Sequence, residues 1–314
     1  MNTLLTTETL HALLARAGDT PFYAIDRAAV DERITALRAQ LPAALQLCFA
    51  VKANPLPALL QHLATRLDGA DISSAGELGR AMAAGFSPER IGFTGPGKRD
   101  SELSAAIEAG VRICAESTGE IERIAAQCVR LGRTARVALR ANPDLSVSGS
   151  RVRMSGDSFF GIASEDLPDA ISMLEACGLR FAGLHYYCAS RMLDAAEIVA
   201  LHARCTDEAL AVCARARVAL PWLNLGGGLG VPVAADERAL DFAPVADHLH
   251  ALDARLRAGF PDALLALEPG RYLVAEAGHY VCRVIDRKTV RGRTWLIVDG
   301  GAHHHLHATQ QPDR

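Results

Sequence analysis

A single lysine follows an apolar, strand-like run near residue 50. The run covers residues 45–51 and ends at Lys52, directly before the turn-forming pair Asn54-Pro55. A buried amine loses hydration, and this loss favours the neutral, nucleophilic form that a Schiff-base lysine needs. The alternative is a lysine that only caps the strand and reaches water. Lys52 is therefore a candidate nucleophile, provided that other reactive groups lie near it.

A glycine triplet and a glycine–arginine pair could bind an anion. Gly226, Gly227 and Gly228 follow one strand-like run, and Gly270-Arg271 follows the next. Glycines let the backbone approach a ligand closely, and their N–H groups can form an anion-binding nest. A triplet by itself more often forms a tight turn, but together with the neighbouring arginine it favours a phosphate site.

A carboxylate, Glu268, ends the strand that precedes Gly270. With a phosphate site and a strand-end lysine, it predicts a site for pyridoxal 5'-phosphate. The lysine would hold the aldehyde, and the carboxylate would keep the pyridine nitrogen protonated, so that the ring accepts electrons from a broken bond at Cα. The alternative is that Glu268 forms a salt bridge with Arg271 or Arg140.

Eight strand-like runs separated by helical patterns position these residues. The runs cover residues 45–52, 69–74, 90–95, 112–117, 136–142, 179–187, 222–227 and 263–269. This alternation predicts parallel strands, and a span of roughly 250 residues suits a closed (β/α)8 barrel, that is, a TIM barrel in the α/β class. A doubly wound open sheet is the main alternative, although no G-x-G-x-x-G follows the first strand.

Polar or glycine residues stand at the carboxyl end of every predicted strand. Since these ends meet at the face of a barrel where barrel enzymes have their active sites, they predict one common catalytic site. In chain order they are Lys52, Asp71, Gly95 to Lys98, Glu116, Arg140 with Asn142, His185 to Ser190, Gly226 to Gly228, and Glu268 to Arg271.

The composition is that of an ordinary globular chain. It has 314 residues, 50% of them hydrophobic and 22% charged, with a formal net charge of -3. This favours one large core and gives no indication of a nucleic-acid or membrane partner. None of the eight cysteines forms a C-x-x-C pair. We therefore expect most of them to be buried small side chains in a reducing cytoplasm, and no metal site.

Five stretches of the chain are specific enough to indicate a family. They are FAVKAN (49–54), DISSAGE (71–77), LNLGGG (223–228), EPGRY (268–272) and DGGAHHHL (299–306). The first four resemble the alanine-racemase-type barrel family of fold-type III pyridoxal-phosphate enzymes, and within it the ornithine/diaminopimelate decarboxylase group. The last resembles a bacterial subgroup of these decarboxylases associated with the exosortase system.

The resemblance implies an enzyme that decarboxylates an amino acid or amino-acid derivative, free or carrier-bound, through a Schiff base on Lys52. It implies that Lys52, Asp71 and Glu268 are catalytic, and that the enzyme is a homodimer with active sites at the subunit interface. The implied cofactor-binding residues are Lys52, Arg140, His185, Tyr187, Ser190, Gly226, Gly227, Gly228, Glu268, Gly270 and Arg271.

The sequence departs from the family's pattern after the sixth strand. The usual motif, His-x-Gly-Ser-Gln, is replaced by YCASR at residues 187–191. Tyr187 stands where the stacking histidine would be, and an aromatic ring can still stack. Ala189 and Arg191 replace the glycine and the glutamine. His185 points to the same side of a regular strand as Tyr187, and is either a donor behind the cofactor or a core histidine.

The family also has a second, β-rich domain, which we expect to be largely missing here, either because the chain is a fragment or because the protein has lost part of the usual active site. We expect residues 1–21 to form an N-terminal arm, 22–275 the pyridoxal-phosphate barrel, and 276–314 the start of an incomplete β domain. That domain normally supplies a catalytic Cys and Asp from the partner subunit. Two other functions therefore stay open: cofactor binding without turnover, and amino-acid racemisation, although racemases usually place Arg rather than Glu against the ring nitrogen.

Overall fold

The computed structural model describes residues 5–145, 152–234 and 236–305. The chain divides into two compact units: residues 32–274 form the larger one, and residues 1–31 with 275–314 form the smaller one. The predicted arm and the predicted start of a β domain fall within the bounds of the smaller unit, and their residues 1–4 and 306–314 lie outside the described part of the chain.

The larger unit is a closed barrel of eight parallel strands with helices between them, as predicted. The strands are β1 (Gln46–Ala50), β2 (Gly69–Ile72), β3 (Ile91–Phe93), β4 (Arg112–Ala115), β5 (Arg136–Asn142), β6 (Arg180–Tyr186), β7 (Trp222–Asn224) and β8 (Leu264–Leu267). Each strand pairs with its neighbour in chain order, and β8 pairs with β1, which closes the ring. The open-sheet alternative is therefore wrong.

A helix follows each barrel strand. The helices are α1 (Pro57–Ala64), α2 (Ala75–Ala83), α3 (Asp100–Ala109), α4 (Thr118–Leu131), α5 (Leu167–Ala176), α6 (Ala195–Ala216), α7 (Ala243–Gly259) and the short α8 (Arg271–Val274). Ser74 and Ser117 cap α2 and α4, because each side chain accepts a hydrogen bond from the backbone N–H three residues on. These caps fix where two helices begin directly after the strand ends.

The inside of the barrel is filled by small side chains and one large ring. Cys114, Ala138, Trp222 and Ala266 pack together there. Gly183 is required beside them, since its φ is 120° and an added Cβ would meet the carbonyl oxygen of Trp222. The pairing of β5 with β6 shifts register at this point, and such an irregularity changes where the following side chains of β6 point.

Among the residues described, the smaller unit contains two short antiparallel sheets, two α-helical segments and the 3-10 segment Ala302–His305. Strand Phe22–Ile25 pairs with Gly278–Val281, and Val284–Val290 pairs with Arg293–Val298. Thr6 caps the helix Thr7–Ala17, and a second helix begins at Arg27. In the described part of the chain, no helix is both long and apolar enough to cross a membrane.

The cysteines confirm the expectation that most of them are buried. Cys177 and Cys282 are exposed, and the other six are buried. All eight are free thiols, and Cys114 packs inside the barrel. The cysteines therefore act chiefly as small core side chains.

Candidate active site

The predicted lysine lies at the carboxyl end of the barrel, which we call the mouth. Strand β1 ends at Ala50, and Lys52 lies on the single 3-10 turn Val51–Ala53 that follows it. Its Nζ is 3.5 Å from Oδ2 of Asp71, which comes from the neighbouring strand β2. Two candidate catalytic residues from adjacent strands therefore form an ion pair at the mouth.

The sequence-based expectation of a neutral Lys52 amine is wrong for this chain. Burial lowers the pKa of Lys52, as expected, but the negative charges of Asp71 and Glu268 outweigh burial and raise the pKa above its ordinary value. The side chain is also 47% exposed. By itself, the chain holds Lys52 as an ammonium group that reaches the solvent of the mouth.

Asp71 is almost fully buried and has a second partner, Thr94. Thr94 directly follows β3, and its hydroxyl donates a hydrogen bond of 2.8 Å to Oδ1 of Asp71. Lys52 pairs with the other carboxylate oxygen, Oδ2. Burial and the charge of Glu268 raise the pKa of Asp71 to about 7, although Lys52, His185 and Thr94 oppose the rise. Asp71 can therefore gain or lose a proton near neutral pH.

Glu268 is held at the end of β8 by two donors. The Asn224 side-chain amide, from β7, donates to Oε1, and His185 Nε2 lies 3.2 Å from Oε2. Burial raises the pKa of Glu268, but His185, Lys52 and Asn224 outweigh it, so that the pKa is lowered overall. Two neighbouring carboxyl groups thus differ in charge near neutral pH: Glu268 stays ionised, whereas Asp71 titrates.

Among the described residues, neither Arg140 nor Arg271 forms an ion pair with Glu268, whose partner is His185, so that alternative interpretation of Glu268 is wrong. Instead, Nη1 of Arg140 lies 3.0 Å and 3.1 Å from the two carboxylate oxygens of Glu116. Glu116 also accepts hydrogen bonds from the backbone N–H groups of Gly95 and Gly161. The pair ties the ends of β4 and β5 to the loops after β3 and β5.

The ring of Tyr187 lies at the centre of these groups. The Lys52 Nζ is 5.3 Å from its centroid, and the Arg140 guanidinium carbon is 6.0 Å from it. An added Cβ at Gly226 would lie 2.7 Å from Cδ2 of this ring. Tyr187 therefore connects the lysine, the arginine and the glycine loop, which is formed by Gly226 to Gly228, and it can present an aromatic face to a planar ligand.

The glycine loop is packed too tightly for side chains. An added Cβ at Gly227 would lie 2.5 Å from the carbonyl oxygen of Glu268, and one at Gly228, where φ is 91°, would lie 2.8 Å from that of Ala189. At Gly270, an added Cβ would lie 3.0 Å from the Cβ atoms of Ala50 and Ala53, which flank the Lys52 position in the sequence. The close packing brings the glycine loop and the loop after β8 next to the lysine turn.

These residues fit pyridoxal 5'-phosphate. Within the described part of the chain, the backbone N–H groups of Gly227 and Gly228 have no hydrogen-bond acceptor, so they can bind phosphate oxygens. Lys52 supplies the amine, Glu268 an ionised carboxylate and Tyr187 an aromatic face. The donor set and the glycine loop therefore match the aldehyde, the ring nitrogen, the ring and the phosphate of this cofactor.

The remaining predicted residues lie at the edge of the mouth or below it. Ser190 is half-buried on the short strand Ala189–Ser190, and Arg271 is exposed at the start of α8. His185 is fully buried and contacts Glu268 from inside the barrel, so it is not a core histidine without a polar role.

Three residues that hold this site were missed in the sequence: Thr94, Asn224 and Cys114. Thr94 follows β3. Asn224 stands two residues before Gly226 and accepts a 2.7 Å hydrogen bond from the Gly226 N–H. A signal for Asn224 was present, because a carboxylate predicted at the end of a buried strand needs donors from adjacent strand ends. The Cys114 thiol, in contrast, carries no such signal.

Comparisons with known proteins agree with this geometry. Residues 27–275 match the family described as "Pyridoxal-dependent decarboxylase, pyridoxal binding domain". The chain is 36% identical over 306 residues to an L-glutamyl-[BtrI acyl-carrier protein] decarboxylase of Niallia circulans, which covers 94% of this chain and 70% of that protein. It is 37% identical over 255 residues to the diaminopimelate decarboxylase of Zymomonas mobilis, covering 80% of this chain and 59% of that protein.

A solved structure is similar over almost the whole chain. The diaminopimelate decarboxylase of Helicobacter pylori, in complex with L-lysine, superposes with a TM-score of 0.86 at 26% identity. The match covers 95% of this chain and 75% of that one. The barrel and its order of strands are therefore shared with enzymes whose sequences have diverged widely from this one.

Proposed function

The chain belongs to the fold-type III pyridoxal-phosphate-dependent decarboxylases, and we propose that it removes the α-carboxylate of an amino acid or amino-acid derivative with Lys52, Asp71 and Glu268 as its catalytic residues. The observation that carries this assignment is that three neighbouring ionisable groups at the mouth, Lys52, Asp71 and Glu268, differ in their ionisation near neutral pH. A solvent-reaching ammonium group lies 3.5 Å from a carboxyl group that titrates near neutral pH, while a second carboxylate stays ionised.

The bound cofactor supplies an electron-accepting ring that stabilises the negative charge left at Cα when carbon dioxide leaves. Glu268 would accept a hydrogen bond from the ring nitrogen and keep that nitrogen protonated. Its two oxygens are fixed by Asn224 and His185, so it needs little rearrangement to do so. Tyr187 would stack on the ring and exclude water from one face.

Lys52 would hold the cofactor covalently through Nζ. Asp71 orients that amine and, since its pKa is near neutral, can take a proton from it or return one. Gly227, Gly228 and the loop at Gly270 and Arg271 would bind the phosphate. We also propose that Ser190 and Arg140 complete the cofactor site from the sixth and fifth strands.

The substrate is proposed from the relatives named above. One of them acts on a glutamyl group carried by an acyl-carrier protein, and others act on diaminopimelate. We propose that this chain takes an amino acid of this kind, free or attached to a carrier protein. The exposed position of Lys52 suits a bulky substrate, because a carrier-bound group must reach the amine from outside the barrel.

The test loads the full 314-residue chain with pyridoxal 5'-phosphate and measures its absorbance before and after borohydride. Reduction should add mass at Lys52, and Lys52→Ala should lose the adduct. Release of carbon dioxide is then measured with diaminopimelate, lysine, ornithine, glutamate and carrier-bound glutamate. Covalent binding without release from any of them would instead support a cofactor-binding role, and loss of optical rotation without release would support a racemase.

We further propose that the chain works as a homodimer in the cytoplasm. Its eight free cysteines, six of them buried, suit a reducing compartment. The homodimer is proposed from the family resemblance. Light scattering of the purified chain during size-exclusion chromatography gives the mass that checks the dimer, and a monomeric mass at micromolar concentration would contradict it.

A further inference from the structure

A line of buried polar groups leads from the Glu268 carboxylate into the barrel. The His185 imidazole lies directly beneath this carboxylate, with Nε2 3.2 Å from Oε2, and its Nδ1 lies 3.6 Å from the sulfur of Cys114. His185 is 1% exposed, and its ring lies nearly parallel to that of Trp222, at 24° and 6.5 Å between centroids. The imidazole is therefore fixed in position and orientation.

We propose that His185 is a positioning residue: a buried imidazolium that holds Glu268 as an oriented carboxylate and thereby keeps the ring nitrogen of the cofactor protonated. This inference rests on the proposed function, in which Glu268 faces that nitrogen. It adds a residue that acts through Glu268 and does not touch the cofactor itself.

The charges around the mouth favour a charged imidazole. Asp71 and Glu268 are two buried carboxyl groups that repel each other, and Lys52 is a half-exposed cation that pairs with Asp71. A buried carboxylate is costly unless a charge or several donors compensate it. A cation beneath Glu268 provides that compensation from the side opposite to the cofactor.

Each element packed against His185 contributes a group to its surroundings. Arg140 on β5 and Asn224 on β7 are its register neighbours, Cys114 comes from β4, and Glu268 follows β8. Asp71, at the end of β2, is close enough for its charge to interact with His185. Burial lowers the pKa of His185, but Glu268 and Cys114 outweigh burial and raise the pKa to about 10.

A neutral imidazole is the rival state, and it makes different use of Cys114. In that state Nε2–H would donate to Glu268, and the thiol would donate to a bare Nδ1. In the charged state both ring nitrogens carry protons, and Nδ1–H donates to the sulfur. The two states differ in one proton on Nδ1, so they can be told apart directly.

The first test observes that proton in the cofactor-free chain. Long-range ¹⁵N–¹H spectra of histidine-labelled protein at pH 8 should show one imidazole with both nitrogens protonated. In Glu268→Gln the same imidazole should become neutral at pH 8, because its main counter-charge is gone. A wild-type chain with no charged imidazole at pH 8 would overturn the proposal.

The second test compares His185→Gln with the matched control His250→Gln, both loaded with pyridoxal 5'-phosphate. Gln keeps an N–H donor but cannot carry charge, whereas His250 is exposed on α7, outside the mouth. His185→Gln should lower kcat by roughly tenfold to a hundredfold, the effect of losing a charge-assisted hydrogen bond to a buried group. KM should change little, and the absorbance of the bound cofactor should acquire a new pH dependence.

These outcomes separate the inference from the proposed function. If wild type neither binds the cofactor at Lys52 nor releases carbon dioxide, the proposed function fails. If wild type is active and His185→Gln matches it in kcat and in the pH dependence of the spectrum, only the role of His185 is refuted. Should His185→Gln not fold, the spectra of wild type and Glu268→Gln still decide the question.

Discussion

Replacing Asp71 by asparagine should stabilise the cofactor-free chain at neutral and alkaline pH. Asp71 is 2% exposed, and burial together with the charge of Glu268 raises its pKa from the ordinary 3.8 to about 7. In the unfolded chain this carboxyl group is in water and ionises near its ordinary pKa. Ionisation of Asp71 therefore favours the unfolded state.

The sign and size follow from the two pKa values. Well below pH 3.8 the group is protonated in both the folded and the unfolded state and does not change the free energy of unfolding. The free energy of unfolding falls as the pH rises from about 4 to about 7, and above that range Asp71 lowers it no further. The difference between the two pKa values corresponds to about 4 kcal/mol. Asparagine keeps the acceptor for Thr94 but never ionises, so we expect Asp71→Asn to gain about 2–4 kcal/mol at pH 8.

The assay is urea unfolding of the cofactor-free chain, followed by circular dichroism at pH 5 and at pH 8. The gain from Asp71→Asn at pH 5 should be less than half of the gain at pH 8, because pH 5 lies only a little above the unfolded pKa of 3.8. The control is Asp247→Asn, an exposed change on α7 that should leave both midpoints unchanged. A midpoint for Asp71→Asn at pH 8 equal to or below that of wild type would refute the reasoning. The same variant should lose activity, since the group is retained for chemistry and not for stability.

Two further substitutions test the packing of the mouth. Gly228→Ala should weaken cofactor binding at least about tenfold, because φ is 91° and the added Cβ would lie 2.8 Å from the Ala189 carbonyl oxygen. The control is Gly79→Ala, an exposed change on α2 with open space around it, which should leave cofactor binding unchanged. A cofactor titration followed by absorbance measures both variants. Glu116→Gln should cost about 3–5 kcal/mol, because it leaves the charge of Arg140 buried without its partner, and a urea midpoint that stays at the wild-type value would contradict this.

The barrel and the convergence of its polar strand ends could be predicted because both follow from local pattern. Alternating strands and helices give the parallel pairing, and a parallel barrel places all carboxyl ends on one face. The predicted end points of individual strands were less accurate. β7 ends at Asn224 instead of residue 227, since the chain leaves the sheet at Gly226 with a φ of 73°. Likewise β1 ends at Ala50, which puts Lys52 on a turn.

The charges of the site could not be predicted, because they depend on partners that are far apart in the sequence. His185 and Glu268 are 83 residues apart, and Glu116 and Arg140 are 24 apart. The sequence offered Arg140 as a partner for Glu268, and nothing local decides between Arg140 and His185. For Lys52, the direction in which burial shifts the pKa could be predicted correctly, but the opposing effect of two carboxylates follows only from their positions in the fold.

The exposure of four ion pairs around the mouth supports the proposal that Lys52 is the group that reacts. In three of them, Lys98–Glu120, Arg140–Glu116 and His185–Glu268, both side chains are at most 6% exposed, so each charge is held by its partner inside the protein. In the fourth, Asp71 is 1% exposed but Lys52 is 47% exposed. The carboxylates and the buried cations Lys98, Arg140 and His185 are thus fixed in position, and together they determine the electrostatic potential at the mouth. The amine of Lys52 is the member of these pairs that an incoming aldehyde or substrate can reach. Burial and the charge of Glu268 raise the pKa of its partner, Asp71, to about 7.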